Sequence, residues 1–133
     1  MGPTGGCIVH NGILTQIGVL CLVCAGYCMY GSATDLVLTF GNNGVHRFTL
    51  DPTLGEFIHT MGNMRIPDAI NAKTIYSCNE GNYSLWDQPV KDCIDSFKSN
   101  NGKPYSLRYV GSMVSDVHRT ILYGGIFIYA ADS

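Results

Sequence analysis

The hydrophobic period of this chain changes once, near residue 70, and that single change restricts the folds open to it. Before it, apolar residues come in short runs bounded by turn residues: Leu22–Tyr30, Asp35–Phe40, Val45–Leu50 and Glu56–Ile58. Runs of this length and punctuation read as β-strands. Gly41-Asn42-Asn43-Gly44 contains Asn-Gly, a strong hairpin signal, and Asp51-Pro52-Thr53-Leu54-Gly55 supplies the next reversal. The simplest arrangement is an antiparallel meander. Met61 to Lys73 has no sustained period and holds Pro67, so it reads as a connection between two units.

Beyond the connection the pattern alternates. A strand over Thr74–Cys78 leads through the polar Asn79-Glu80-Gly81-Asn82 to a helix from about Ser84 to Asn100. There Trp86, Val90, Cys93, Ile94 and Phe97 share one face. Pro89 is tolerable only in the first turn of such a helix. A short strand over Arg108–Val110 precedes a second helix, Met113 to Tyr123, with Met113, Val117 and Ile121 at helical spacing. Gly124-Gly125 stops it, and Ile126–Tyr129 closes as a strand. Strand, helix, strand, helix, strand implies α/β layering. The expected fold is therefore mixed α/β: an antiparallel meander over residues 22–70, then a β-α-β-α-β unit over 71–133, with 1–21 as a separate N-terminal segment.

Composition excludes several functions. With 46% hydrophobic and 14% charged residues the chain is globular rather than disordered. A net charge of −2 and scattered Lys and Arg give no footprint for a nucleic-acid backbone. The best candidate for a membrane span, Gly12 to Ser32, is broken by Thr15, Gln16 and several glycines, which makes a poor span. Met1 to Leu20 carries no Lys or Arg ahead of its apolar part and no clear cleavage site, against a secretory signal. The expected location is intracellular and cytoplasmic. Six cysteines (Cys7, Cys21, Cys24, Cys28, Cys78, Cys93) are then read as reduced, buried strand residues. Cys21 and Cys24 lack a partner pair for zinc and would point to opposite faces of a strand.

No nucleophile, base or metal set assembles from the motifs. There is no G-x-S-x-G, Walker loop or H-E-x-x-H, and His10, His46, His59 and His118 are dispersed, so none is given a catalytic role. In Leu50-Asp51-Pro52 the carboxylate that would complete a metal motif is replaced by Leu54, and a turn is the better reading. What does accumulate is Asn79 in a polar loop, the Arg108-Tyr109 pair and Tyr129, each at a strand terminus. Ligands of α/β sheets bind outside such strand ends, and guanidinium, amide and phenol together suit a phosphate. The same residues also fit ordinary polar strand ends and packed tyrosines, and composition does not choose between the two.

Longer segments do. Ala25-Gly26-Tyr27 and Tyr30-Gly31-Ser32-Ala33-Thr34, Leu50-Asp51-Pro52 with Gly55-Glu56-Phe57, Asn79-Glu80-Gly81-Asn82-Tyr83, and Arg108-Tyr109-Val110-Gly111-Ser112-Met113-Val114 followed by Asp116-Val117-His118-Arg119-Thr120 and Tyr123-Gly124-Gly125-Ile126 resemble the class 1 fructose-1,6-bisphosphatases of the sugar phosphatase superfamily. The resemblance runs from about Leu22 to the C-terminus. It implies a Mg²⁺-dependent, cytoplasmic enzyme of gluconeogenesis, a homotetramer that hydrolyses the 1-phosphate of fructose 1,6-bisphosphate. It also implies that residues 22–70 end the N-terminal metal and AMP domain and that 71–133 form part of the sugar-phosphate domain. Asn79, Tyr109 and Tyr129 would then bind the 6-phosphate, with Tyr83 a further candidate although Asn82 directly follows the glycine. Arg108 would reach the same phosphate in a neighbouring subunit, and Gly111, Ser112 and Met113 would line the sugar.

The family's Asp-Pro-Leu-Asp-Gly-Ser-Ser motif, paired glutamates, AMP site and late lysine and glutamate have no counterpart here, and Ala130 replaces a usual proline. No catalytic residue and no metal ligand is therefore assigned, and the isolated chain is expected to be inactive, as a truncated gene model would be. Strands lacking their partners would also invite aggregation. The competing readings are a non-catalytic sugar-phosphate-binding remnant, a sedoheptulose-1,7-bisphosphatase, and a small cysteine-rich structural protein.

Overall fold

The computed structural model describes Cys7–Ile8 and residues 24–130. The segment 1–21 apart from Cys7–Ile8, the start of the first expected strand at Leu22, and His10 and Cys21 lie outside the described residues. The chain divides into two compact units, one ending at Arg65 and the other beginning at Ile66.

The first unit is a five-stranded antiparallel meander: β1 (Cys7–Ile8), β2 (Ala25–Tyr30), β3 (Thr34–Thr39), β4 (Val45–Asp51) and β5 (Glu56–Met64), paired in sequence order. The link between β3 and β4 is a 3₁₀ turn over Gly41–Asn43 rather than a two-residue hairpin. The Asp51 turn forms as an Asx turn, its Oδ1 accepting the N–H groups of Thr53 and Leu54 at 2.8 and 3.2 Å. Val37 and Asp35 are buried side chains of β3, and the Thr49 hydroxyl donates to the Asp35 carboxylate at 2.6 Å.

β5 corrects the sequence reading most. It continues past Ile58 to Met64, through the stretch assigned to the connection. Two register shifts against β4 accommodate the extra length, and Asn63, with φ of 51°, takes the left-handed backbone that Asn tolerates. Glycine and a bulge hide the alternation that a regular strand would display.

The second unit is a three-stranded parallel sheet in the order β7-β6-β8, with β6 (Ile75–Ser77) central, β7 (Ser106–Leu107) and β8 (Ile126–Phe127) flanking it, and helices α1 (Gln88–Ser99) and α2 (Met113–Tyr123) in the crossovers. All three strands are shorter than the sequence suggests, and β7 lies just before the expected Arg108–Val110. Helix α1 starts at Gln88 rather than Ser84 because Pro89 fits only its first turn, and the preceding residues Glu80–Leu85 wind as a 3₁₀ segment. Gly125, at φ of 106°, admits no side chain: a Cβ there would stand 2.6 Å from the carbonyl oxygen of Ile75.

Tyr76, Cys78, Trp86 and Ile94 form the core of this unit, with Val90, Phe97, Tyr105, Ile126 and Ile128 packed around them. Two helix faces depart from expectation. Cys93 is exposed on α1 while its neighbour Ile94 is fully buried. On α2 the buried residues are Val114, Asp116 and His118, and Met113 is exposed. Among the cysteines whose side chains are described, Cys78 is buried, Cys24 and Cys93 are exposed and Cys28 is half-buried. A polar network borders the core: the Tyr76 hydroxyl donates to Glu80, and Lys98 pairs with Glu80 at 2.7 Å. Burial pushes the Glu80 carboxyl up, but the hydrogen bonds from Lys98 and Tyr76 outweigh it and hold the group below its usual value.

Two predictions follow from this core. Ile94→Ala should cost about 2–5 kcal/mol in urea unfolding read through Trp86, the one tryptophan in the chain, while Ile70→Ala at a 91% exposed position should stay within about 0.5 kcal/mol. Equal effects would show that Ile94 is not the packing centre. Burial pushes the Cys78 thiol from 9.0 up to about 11. Its neutral form therefore contributes stability that is complete below the unfolded value of 9.0 and is lost as pH rises toward 11. Brief iodoacetamide treatment near neutral pH, mapped by mass spectrometry, should modify Cys93 and leave Cys78 intact; comparable modification of both would contradict the packing.

Candidate functional site

Because β6, β7 and β8 are parallel, the residues that follow each strand emerge at the same, carboxyl, edge of the sheet. Asn79 follows β6, Tyr109 follows β7 and Tyr129 follows β8. These three line one small hollow of about 80 Å³ together with Asn82, Trp86, Ile128 and Ala130. The Asn79 side chain is also spent locally, its Oδ1 accepting the Gly81 N–H at 3.3 Å and its amide nitrogen donating to Asn82 Oδ1 at 3.4 Å. Tyr129 is 80% exposed, and Tyr109 is partly open as well. Trp86 and Ile128 give the hollow an apolar wall, and the amides and phenols give it donors.

The remaining expected site residues lie elsewhere. Tyr83 does not line the hollow; its hydroxyl donates to Asp95 Oδ2 at 2.7 Å and its ring lies 5.1 Å from Lys98 Nζ. The hydrogen bond to Asp95 holds the phenol above its usual pKa. Gly111, with φ of 80°, turns the chain into α2, Ser112 occupies the position before its first turn without capping it through the side chain, and Met113 is exposed. Arg108 lines a separate, wider cleft of about 520 Å³ with Lys73, Ser106, Arg119 and Tyr123.

What holds these strand ends in place was not foreseen. Asp116, fully buried on α2, accepts the Val110 N–H at 3.3 and 3.4 Å and forms a salt bridge with Arg119. The same guanidinium nitrogen of Arg119 donates to Ser77 Oγ at 2.8 Å and to the carbonyl oxygen of Arg108. One ion pair thus fastens α2 to the central strand and to the segment that carries Arg108 and Tyr109. An aspartate at i and an arginine at i+3 on a helix was the available signal, but nothing in the sequence marked this pair as buried.

Among the described residues no group of three or more His, Cys, Asp or Glu side chains could hold a metal ion. Nor is any described helix long and apolar enough to cross a membrane. The lining of the hollow offers neutral amide and phenol donors beside an apolar wall.

Two family models match the chain: the fructose-1,6-bisphosphatase N-terminal domain over residues 12–62 and the C-terminal domain over residues 70–133. The first match reaches back to residue 12, into the segment that resembled nothing by its motifs. The chloroplastic fructose-1,6-bisphosphatase of Glycine max is 56% identical over 113 residues, which cover 84% of this chain and 27% of that protein. The cytosolic enzyme of Oryza sativa subsp. indica is 55% identical over 113 residues, covering 84% of this chain and 32% of its own length. Among solved structures, apo fructose-1,6-bisphosphatase from Leishmania major superposes with a TM-score of 0.76 at 56% identity, over 83% of this chain and 34% of that one. The chain thus spans about a third of the length of the relatives it matches.

The ion pair generates the prediction for this site. Arg119→Met leaves the Asp116 carboxylate buried without its cation and should destabilise the second unit by about 3–5 kcal/mol in chemical denaturation. A loss below about 1 kcal/mol, the scale of an exposed pair, would show that the network does not fasten α2.

Proposed function

The chain belongs to the fructose-1,6-bisphosphatase family, and we propose from that premise that it supplies the sugar-phosphate pocket of an enzyme converting fructose 1,6-bisphosphate to fructose 6-phosphate and phosphate. The observation that carries this reading is the convergence of Asn79, Tyr109 and Tyr129 on one hollow at the carboxyl edge of a parallel sheet. An amide and two phenols offer donors to the oxygens of the 6-phosphate, and Trp86 and Ile128 limit the water that competes for them. Gly111, Ser112 and Met113, which follow Tyr109 after one intervening residue, are assigned to the sugar. Tyr83 has the weakest claim, since its hydroxyl is committed to Asp95.

Hydrolysis at the 1-phosphate requires the divalent metal that the family implies, with Mg²⁺ the ion proposed. The described residues do not fit that role, so the part played by this chain is to bind and orient rather than to break the bond. Arg108 lies outside the hollow, and we assign it to the 6-phosphate of a second copy within a tetramer. A role in gluconeogenesis and a cytoplasmic location complete the proposal, the latter supported by relatives named as cytosolic, although relatives named as chloroplastic are equally similar.

Titrating fructose 6-phosphate into the chain should shift the amide resonances of Asn79, Tyr109 and Tyr129. Asn79→Ala or Tyr129→Phe should each weaken binding by about tenfold, as loss of one hydrogen bond to a charged group implies. Arg108→Ala should weaken it only where the chain self-associates. No shift at these residues, at ligand concentrations well above the millimolar range, would overturn the reading.

A further inference from the structure

His46 and His59 were dispersed in sequence, yet the first unit brings them together. β5 carries the extra residues of two register shifts, opposite His46 and between Arg47 and Phe48, and this irregular pairing sets His59 beside His46. His46 Nδ1 lies 3.2 Å from His59 Nε2, and the rings are tilted by 35° with centroids 5.3 Å apart. The Phe48 ring also lies against His59, with centroids 5.0 Å apart. The Arg47 guanidinium is engaged elsewhere, donating to Thr60 Oγ1 at 3.3 Å.

The outer contact of the pair fixes which atoms are donors. His46 Nε2 lies 3.1 Å from the carbonyl oxygen of Asn43, an atom that only accepts. In the neutral ring the proton therefore sits on Nε2, and Nδ1 presents a lone pair toward His59. A ring nitrogen aimed at a neighbour while the other donates to a backbone carbonyl is the arrangement that orients metal-ligating histidines. Two imidazole nitrogens bound to one zinc at about 2.0–2.1 Å, with the near-tetrahedral angle that ion prefers, lie a little over 3 Å apart. The 3.2 Å separation already matches. Gly62 leaves room beside the pair: a Cβ there would stand 3.0 Å from His59 Cε1 and 3.2 Å from its Nε2, crowding that ring, and would touch His46 Nδ1 at 3.4 Å.

We propose that His46 Nδ1 and His59 Nε2 form a two-histidine chelate for a borderline divalent transition ion such as Zn²⁺, on the β4–β5 pair. Imidazole nitrogen selects this class over Mg²⁺, which requires oxygen donors. Without the ion, His59 Nε2–H donates to His46 Nδ1; on binding, that proton moves to His59 Nδ1 and both lone pairs face the metal, with water completing the coordination.

The test is titration of the ¹⁵N-histidine-labelled chain with Zn²⁺, followed through the ring nitrogens. His46 Nδ1 and His59 Nε2 should shift together at one equivalent, with the His118 nitrogens unmoved and Mg²⁺ without effect. His59→Gln, which retains a polar side chain, should weaken the response of His46 by at least about tenfold, the scale on which even outer-shell contacts of a metal site act. If Zn²⁺ is taken up by cysteines while the two rings stay unchanged, or if His46 responds equally in His59→Gln, the chelate does not exist.

Discussion

The buried ion pair between Asp116 and Arg119 is the interaction on which the second unit depends. A three-stranded parallel sheet with strands of two or three residues has few ladder hydrogen bonds of its own. Ordinary side-chain packing covers one flank through Ile94 and Trp86. On the α2 side the fastening is polar: Asp116 takes the Val110 N–H, and Arg119 reaches Ser77 in the central strand and the carbonyl of Arg108 beyond β7. A buried ion pair is a weak source of net stability compared with apolar packing, but removing one partner strands the other. Its value here is positional, since it sets the segment that presents Tyr109.

That fastening explains why the donors of the hollow sit on short strand ends and not on long loops. Each of Asn79, Tyr109 and Tyr129 is within two residues of a strand whose register is set by β6. A site built on the terminus of a rigid element holds its geometry better than one built on a free loop. The first unit is organised differently. Its side chains are seldom fully buried, β5 is exposed along nearly its whole length, and its cohesion comes from strands paired antiparallel in sequence order, irregularly between β4 and β5, with hydroxyl contacts such as Thr49 to Asp35.

Much of this was legible in the sequence, and the failures have identifiable causes. The meander, the alternation of strand and helix in the second unit and the strand-end positions of Asn79, Tyr109 and Tyr129 all follow from periodicity and turn chemistry. Strand lengths did not, because these parallel strands are only two or three residues long while the residue runs that mark them continue into the flanking segments. The buried face of α2 was misjudged for a related reason. Apolar spacing selects Met113, Val117 and Ile121, whereas a polar network inverts the pattern by making Asp116 the most buried position. The pairing of His46 with His59 was invisible because it requires β5 to extend beyond Ile58 and to slip register, and neither a bulge nor the glycine within it leaves a periodic trace.

Charge within the hollow leads to one further step. None of its lining residues is cationic: the wall consists of Asn79, Asn82, Trp86, Tyr109, Ile128, Tyr129 and Ala130. A phosphate dianion held there by amide and phenol donors alone would keep most of its charge uncompensated in a partly apolar environment, at a substantial desolvation cost. On the proposed function, the compensating cation must come from outside the hollow. Arg108 is adjacent in sequence to Tyr109, yet it lines a different cleft with Lys73 and Arg119, so the tyrosine and the arginine take diverging paths. On the same proposal, two copies exchanging that arginine would resolve the imbalance for both, and assembly would then be a condition of tight phosphate binding rather than an addition to it.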